Sequence, residues 1–252
     1  MDRKAEYSIV AYGDSLTWGT RGDRDSPAPY TAFLDYFIYR YLKAAESPFS
    51  VSIVNVSLPA GMIVNFAGKE GRHLGFHNLP LEKVLQERPD ACIVLGGTNN
   101  LGMIGDGRHQ ILDESVYKKV EEVAHDLFAI YEQLREHSIE PVPVTVPPLR
   151  VHSIVLEDEG EAVYWRIAEF AIGVRHLLNR FLFDYSKKNG IHVVDLFQAT
   201  SDPIGQMRRE YSAGDWLHFN EVGYFYMART IFEQGVKPHL DKWMGLEQKV
   251  TQ

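Results

Sequence analysis

Apolar residues along the chain fall into two kinds of pattern. Short, nearly continuous runs rich in β-branched and aromatic side chains occur at Tyr7–Tyr12, Val51–Val56, Ala91–Leu95, Val142–Val146 and Ile191–Leu196. Runs with so little alternation belong to strands covered on both faces, which is how a parallel sheet reads. Between them, Tyr30–Ala45, Leu79–Glu87, Glu114–Glu136 and Glu161–Lys188 repeat apolar residues at three- and four-residue spacing, and Glu221–Gln234 does so after Asn220, a suitable N-cap. The order βαβαβαβαβα predicts right-handed crossovers and an α/β fold of three layers, α/β/α. The flavodoxin-like arrangement expected for it is a five-stranded parallel sheet in the order 2-1-3-4-5. Ligands of such sheets sit beyond the carboxyl ends of the strands, so the loops that follow strands are where chemistry is expected.

Composition narrows the class. The 252 residues are 45% hydrophobic and 24% charged, as in an ordinary globular protein, and no repeat, linker or charge block divides them, so one domain over residues 1–252 is expected. The segment Pro141–Pro148 reads as a strand with a tight exit, and the acidic stretch Glu157–Glu161 as a solvated loop entering a helix. A net charge of −8 argues against a nucleic-acid surface, which needs a basic face. The single cysteine, Cys92, excludes an internal disulfide and a thiolate zinc cluster, and reads as core packing. The first residues lack the apolar core of a secretory signal, and no window has the roughly 18 apolar residues of a membrane span, so no membrane span and a cytoplasmic location are expected.

Four loops carry candidate chemistry. Gly13-Asp14-Ser15 ends the first predicted strand and sets a serine in the first turn after it, where the hydroxyl meets the cleft and the backbone N–H is free to face a developing oxyanion. A serine at such a turn also serves as a plain helix cap. Near the other end stands Asp215-Trp216-Leu217-His218; a turn brings residues three apart onto one side, so the carboxylate can accept Nδ1–H and leave Nε2 free as a base. Asp106-Gly107-Arg108-His109 has the same spacing. The C-terminal pair is preferred because Trp216, Leu217 and Phe219 offer the packing that fixes a base, whereas Gly105 and Gly107 suggest a polar lid over Gly102–Gly107. After the third strand, Gly96-Gly97-Thr98-Asn99-Asn100 offers an amide that can donate to an oxyanion, and after the second, Asn55 to Gly61 offers a glycine N–H.

In this order and near the two chain ends, Gly13-Asp14-Ser15 and Asp215-x-x-His218 resemble the SGNH hydrolases, also called the GDSL esterase/lipase family, and Gly97-Thr98-Asn99 and Gly61 resemble its weaker middle blocks. The resemblance implies Ser15 as nucleophile, His218 as general base and Asp215 as the group orienting it. It also implies an oxyanion hole from the N–H groups of Ser15 and Gly61 and the side chain of Asn99. Two departures stand out: Asn100 replaces the family's acidic residue, and the interval from Asn55 to Gly61 is one residue longer than the family's usual pattern, which makes Ala60 the alternative donor.

Rival chemistries lack their parts. No Walker A or Gly-x-Gly-x-x-Gly pattern follows a strand, His73 and His77 have no glutamate set between them as in a zinc helix, and Asp14 lacks the second carboxylate of an aspartyl-phosphate site. The expectation is a carboxylic-ester hydrolase for short to medium acyl chains on a small-molecule ester, working through an acyl-enzyme with no cofactor and no metal. The alternatives are a carbohydrate O-acetyl esterase, a thioesterase or lysophospholipase, or a non-catalytic ester- or glycan-binding domain. Met62, Ile63, Val64, Phe66, Leu101, Met103, Ile104, Leu149 and Val151 are candidate cleft residues, with Arg21, Arg72 and Arg108 for a polar or anionic alcohol part. Trp18 reads as a staple on the first helix.

Overall fold

The structure, a computed structural model, describes residues 6–22, 24–63, 77–104, 111–151, 157–158 and 160–246. Its central sheet has four parallel strands: β1 (Glu6–Gly13), β2 (Ser50–Ser57), β3 (Ala91–Leu95) and β4 (Glu140–Pro143), side by side in the order β2-β1-β3-β4. The register sets Ile9 beside Ile53 on one side and Ala91 on the other, with Cys92 beside Pro141. Side chains alternate strictly between the two faces. Tyr7, Ile9, Ala11, Ile93 and Leu95 pack on α2 (Tyr30–Ala44) and the C-terminal helices, whereas Val10, Tyr12, Cys92 and Val94 pack on the other layer. That second layer is α3 (Leu81–Glu87), α5 (Glu114–Glu136) and α6 (Glu161–Asn189). Burial on both faces is what the unbroken apolar runs required.

The expected fifth strand is corrected. Ile191–Leu196 contributes one isolated parallel bridge, Val144 to Val194, in place of a ladder. Glu140 and Val144 turn their N–H groups toward the β3 side, donating to Asp90 and Val94, so residues 141, 143 and 145 face outward. Two of these are proline and have no N–H, which leaves Thr145 to donate to the Val194 carbonyl while Pro143 accepts from Val194 N–H. Asp195 then caps α7 (Leu196–Thr200) by accepting from Gln198 N–H at 3.0 Å, and the chain leaves the sheet.

The last helical pattern also resolves more finely than expected. After Asn220, whose side chain accepts from Gly223 N–H at 3.0 Å, α8 (Glu221–Thr230) passes through one π-helical stretch, Ile231–Val236, into α9 (Lys237–Met244). Two more short helices start directly after strands: α1 (Ser15–Trp18) after β1 and α4 (Thr98–Gly102) after β3. Both lie at the carboxyl edge of the sheet, and both carry candidate residues. No helix among the described residues is long and apolar enough to cross a membrane.

Candidate active site

Three side chains that the sequence singled out, from opposite ends of the chain, meet at the carboxyl edge of β1. Ser15 opens α1, with Asp14 as its N-cap. Its hydroxyl lies 3.0 Å from His218 Nε2, and His218 Nδ1 lies 2.7 Å from Asp215 Oδ2. With Nδ1–H donated to the carboxylate, Nε2 presents its lone pair to the Ser15 hydroxyl, an arrangement in which the imidazole can take the hydroxyl proton. Ser15 is almost wholly buried and the His218 side chain is 16% exposed, so the row is shielded from bulk water yet open at one end.

Local hydrogen bonding holds the pair Asp215–His218. Asp215 Oδ1 accepts from the N–H groups of Leu217 at 2.9 Å and His218 at 2.6 Å, closing a tight turn that carries the imidazole back over its own carboxylate. Ala213 N–H donates to the His218 carbonyl, Arg150 N–H to the Trp216 carbonyl, and the Asn220 side chain to the carbonyls of Glu210 and Ser212. Of the three packing residues expected to fix the base, Phe219 is the deep anchor, fully buried, while Trp216 is exposed. The short antiparallel pair Thr20–Arg21 with Arg24–Asp25 braces the same corner: Arg21 is ion-paired with Glu221 at the start of α8, and Trp18 Nε1 donates to Asp25 at 3.0 Å. Trp18 therefore staples α1 to this ribbon, and Arg21 is engaged in the scaffold.

The two carboxyls at the site differ in their electrostatics. Burial works to raise the Asp215 carboxyl, but the His218 ring, the two backbone N–H groups and the His218 charge outweigh it and hold the group at about 2. Asp14, which is completely buried, goes the other way: loss of hydration dominates, and the Leu16 N–H, the His218 charge and the Thr98 hydroxyl only partly oppose it, leaving it at about 6.

At the candidate oxyanion corner the two candidate donors, Gly61 and Ala60, sit in one turn. Leu58-Pro59-Ala60-Gly61 forms a tight turn in which Gly61 N–H donates to the Leu58 carbonyl at 2.9 Å, so that N–H is occupied within the turn. Glycine is required there for packing: a Cβ at position 61 would lie 2.2 Å from Leu79 Cδ2 and 2.7 Å from the Leu58 carbonyl oxygen. Pro59 and Ala60 fill the two central positions, and Ala60 takes the positive φ of 56° that a type II turn demands, with its N–H outside the turn's own hydrogen bond. Among the described residues the Ala60 N–H makes no backbone hydrogen bond.

Asn99 is held by the same turn. Its Nδ2 donates to the Gly61 carbonyl at 2.8 Å, which uses one of its two N–H bonds and leaves the second to point elsewhere. Asn100, the departure from the family's acidic residue, is buried and its Oδ1 accepts from Ile63 N–H at 3.1 Å. Consecutive asparagines thus lace α4 to the 61–63 segment, and a neutral amide does the holding. Gly97 at the head of α4 has φ of 102°, a left-handed turn closed to most side chains.

Several cleft candidates belong instead to the core. Met62, Leu101, Ile104 and Val151 are buried, Leu101 and Ile104 in the same cluster as β3. Cys92 is buried too, and burial pushes its thiol up, away from a reactive thiolate. Residues 105–107 of the Gly102–Gly107 segment, Asp106 to His109, Val64, Phe66, Arg72 and His73 lie outside the described residues. Among the described residues no group of three His, Cys, Asp or Glu side chains is gathered around a point where a metal ion could bind. Asp14 and Thr98 were not marked by the sequence pattern as functional, although an aspartate directly before a helix is a readable N-cap signal.

The family model for GDSL-like lipases and acylhydrolases matches residues 11–225, which takes in both the Ser15 turn and the Asp215–His218 turn. The chain belongs to the GDSL-like lipase/acylhydrolase family. That membership sets its coarse class as a hydrolase. Solved GDSL-type structures share the fold at low identity. A lipase/acylhydrolase from Enterococcus faecalis aligns at 19% identity and a TM-score of 0.52, covering 92% of this chain and 96% of that one. A GDSL-like lipase from Bacteroides thetaiotaomicron aligns at 14% and 0.54, over 92% and 88%. An acetyl xylan esterase aligns at 14% and 0.53, over 90% and 98%. No curated protein matches the sequence significantly.

Proposed function

We propose that this GDSL-like protein is a serine hydrolase of carboxylic esters with short to medium acyl chains. The observation that carries the reading is the hydrogen-bonded row from Ser15 Oγ through His218 to Asp215, with separations of 3.0 and 2.7 Å. In this reading His218 Nε2 takes the hydroxyl proton as Oγ attacks the acyl carbon, and Asp215 stabilises the imidazolium that forms. The carbonyl oxygen becomes an oxyanion facing the N–H groups of Ser15 and Ala60 and the second N–H of Asn99. The imidazolium then gives its proton to the departing alcohol oxygen as the C–O bond breaks, leaving the acyl group on Ser15. Water, deprotonated by the same imidazole, repeats the attack and releases the acid.

The short end of the acyl range is supported by the burial of the cleft candidates Met62, Leu101 and Ile104, while Ile63 packs over Gly96 and Gly97 beside the loop. The reading is tested by hydrolysis of p-nitrophenyl acetate, butyrate and octanoate by the wild type and Ser15→Ala. Activity on the first two that drops roughly 10⁴-fold or more in the variant is the expected result. Equal activity in both proteins would overturn the serine mechanism, and a rate that climbs steadily toward long chains would overturn the acyl size.

A further inference from the structure

Asp14 stands next to Ser15 but outside the proton relay, and its burial is more than a helix cap requires. Its Oδ1 accepts from Leu16 N–H at 3.0 Å, a task that an exposed aspartate or an asparagine performs equally well. Yet the carboxylate is completely buried, and its Oδ2 finds no well-formed hydrogen bond among the described residues. The nearby hydroxyl that favours its charged form is that of Thr98, the first residue of α4, itself buried and without a hydrogen-bond partner among the described residues. A charge sealed away in this manner costs stability, and such costs persist where function needs them.

The titratable groups that act on Asp14 come from three elements: His218 from the turn before α8, Tyr224 from α8 and Tyr30 from α2. Burial pushes both phenols far up, so both are neutral wherever the enzyme would work. His218 is then the group with which the Asp14 charge communicates, and it is the group that becomes positive when Ser15 gives up its proton.

We propose that Asp14 is a positioning residue of the site: its buried carboxylate, set directly behind Ser15, favours the positive charge that His218 carries during attack. The proposal rests on the Ser15–His218 reading above. It assigns two carboxylates to one imidazole, Asp215 by direct hydrogen bond and Asp14 through space from beneath the nucleophile.

The test is Asp14→Asn in the full chain, with Thr98→Val as its companion. Asparagine keeps the cap to Leu16 N–H and removes the charge, so the variant should fold. Its kcat should fall about tenfold with KM unchanged, the effect of one lost charge–charge interaction. The wild-type rate should show an additional step of similar size as Asp14 is protonated near pH 6, and Asp14→Asn should lack that step. Thr98→Val removes the hydroxyl that favours the charged form, so it should move the step to higher pH and lower kcat about threefold to tenfold at neutral pH. A wild-type kcat and pH profile in Asp14→Asn would overturn the proposal and leave Asp14 a cap. So would a step that stays in place in Thr98→Val, which decides the matter should the first variant not fold. Activity that survives Ser15→Ala would overturn the serine reading and this proposal together, whereas activity that needs Ser15 but ignores Asp14 overturns this proposal alone.

Discussion

The turn that carries Ser15 and the turn that carries His218 begin from the same local motif and end in opposite electrostatic states. In each, an aspartate Oδ1 accepts the N–H of the residue two places on, Leu16 for Asp14 at 3.0 Å and Leu217 for Asp215 at 2.9 Å. The second oxygens differ. Asp215 Oδ2 takes the His218 ring proton at 2.7 Å, while Asp14 Oδ2 faces the core with the Thr98 hydroxyl as its neighbour. One carboxyl is held at about 2 and the other lifted to about 6. Hydrogen bonds to the charged form outweigh burial in the first case and fall short of it in the second. A residue type and a turn type therefore do not set a carboxyl's behaviour; the contents of its second coordination site do.

The comparison breaks most visibly in the rate. Asp215→Asn should lower kcat about 10⁴-fold, because the imidazole loses the partner that fixes its tautomer. Asp14→Asn, the same chemical change in the matching turn, should cost only about tenfold, since no direct bond to the imidazole is lost. Steady-state kinetics on both variants measures the gap, and losses of equal size would erase the distinction between the turns.

Stability sharpens the comparison through its sign. Asp215 has a folded value below the ordinary 3.8, so its contribution is complete above pH ~4 and is lost as pH falls toward 2. Asp14 has a folded value above 3.8, so the native state prefers its neutral form and stability falls as pH rises from ~4 toward 6, with the penalty complete beyond that. Thermal melts should find Asp14→Asn more stable than the wild type at pH 8 and level with it near pH 4. Asp215→Asn should be less stable than the wild type at pH 8, with the gap closing as pH approaches 2. A destabilised Asp14→Asn at pH 8 would contradict the assignment of a buried charge.

The smallest effects lie in the brace. Arg21→Ala removes the ion pair to Glu221, which is partly solvated on both sides, and should lower stability by at most about 1 kcal/mol, or a Tm shift of roughly 2–4 °C. Its kcat should stay within about threefold of the wild type, the equivalent of under 1 kcal/mol. A larger loss would mean that Arg21 meets the substrate as well as Glu221.

Much of this was legible in the sequence where the physics is local or strictly periodic. The runs Tyr7–Tyr12 and Ala91–Leu95 announced strands buried on both faces, and the Asn220 cap marked the start of α8 to the residue. Ser15, Asp215 and His218 were singled out because a hydroxyl and an Asp-x-x-His pair stood at strand and helix junctions. The fifth strand was over-read from its apolar content, although Pro141 and Pro143 already removed the N–H groups it would have paired with. At Gly61 the sequence left two readings open, since nothing in a glycine's identity separates a free N–H from a need for space beside Leu79, and the N–H in fact donates to the Leu58 carbonyl. The burial of Met62, Leu101 and Ile104, and that of Asp14, depends on contacts between distant segments and has no local signature.

The central claim is that Ser15 is the nucleophile activated by His218, and a fluorophosphonate probe tests it most directly because it reports on the hydroxyl without a choice of substrate. Intact-mass analysis of the wild type should show a single adduct, peptide mapping should find it on Ser15, and both Ser15→Ala and His218→Ala should remain unmodified over the same interval. An adduct on another residue, or equal labelling in Ser15→Ala, would contradict the account.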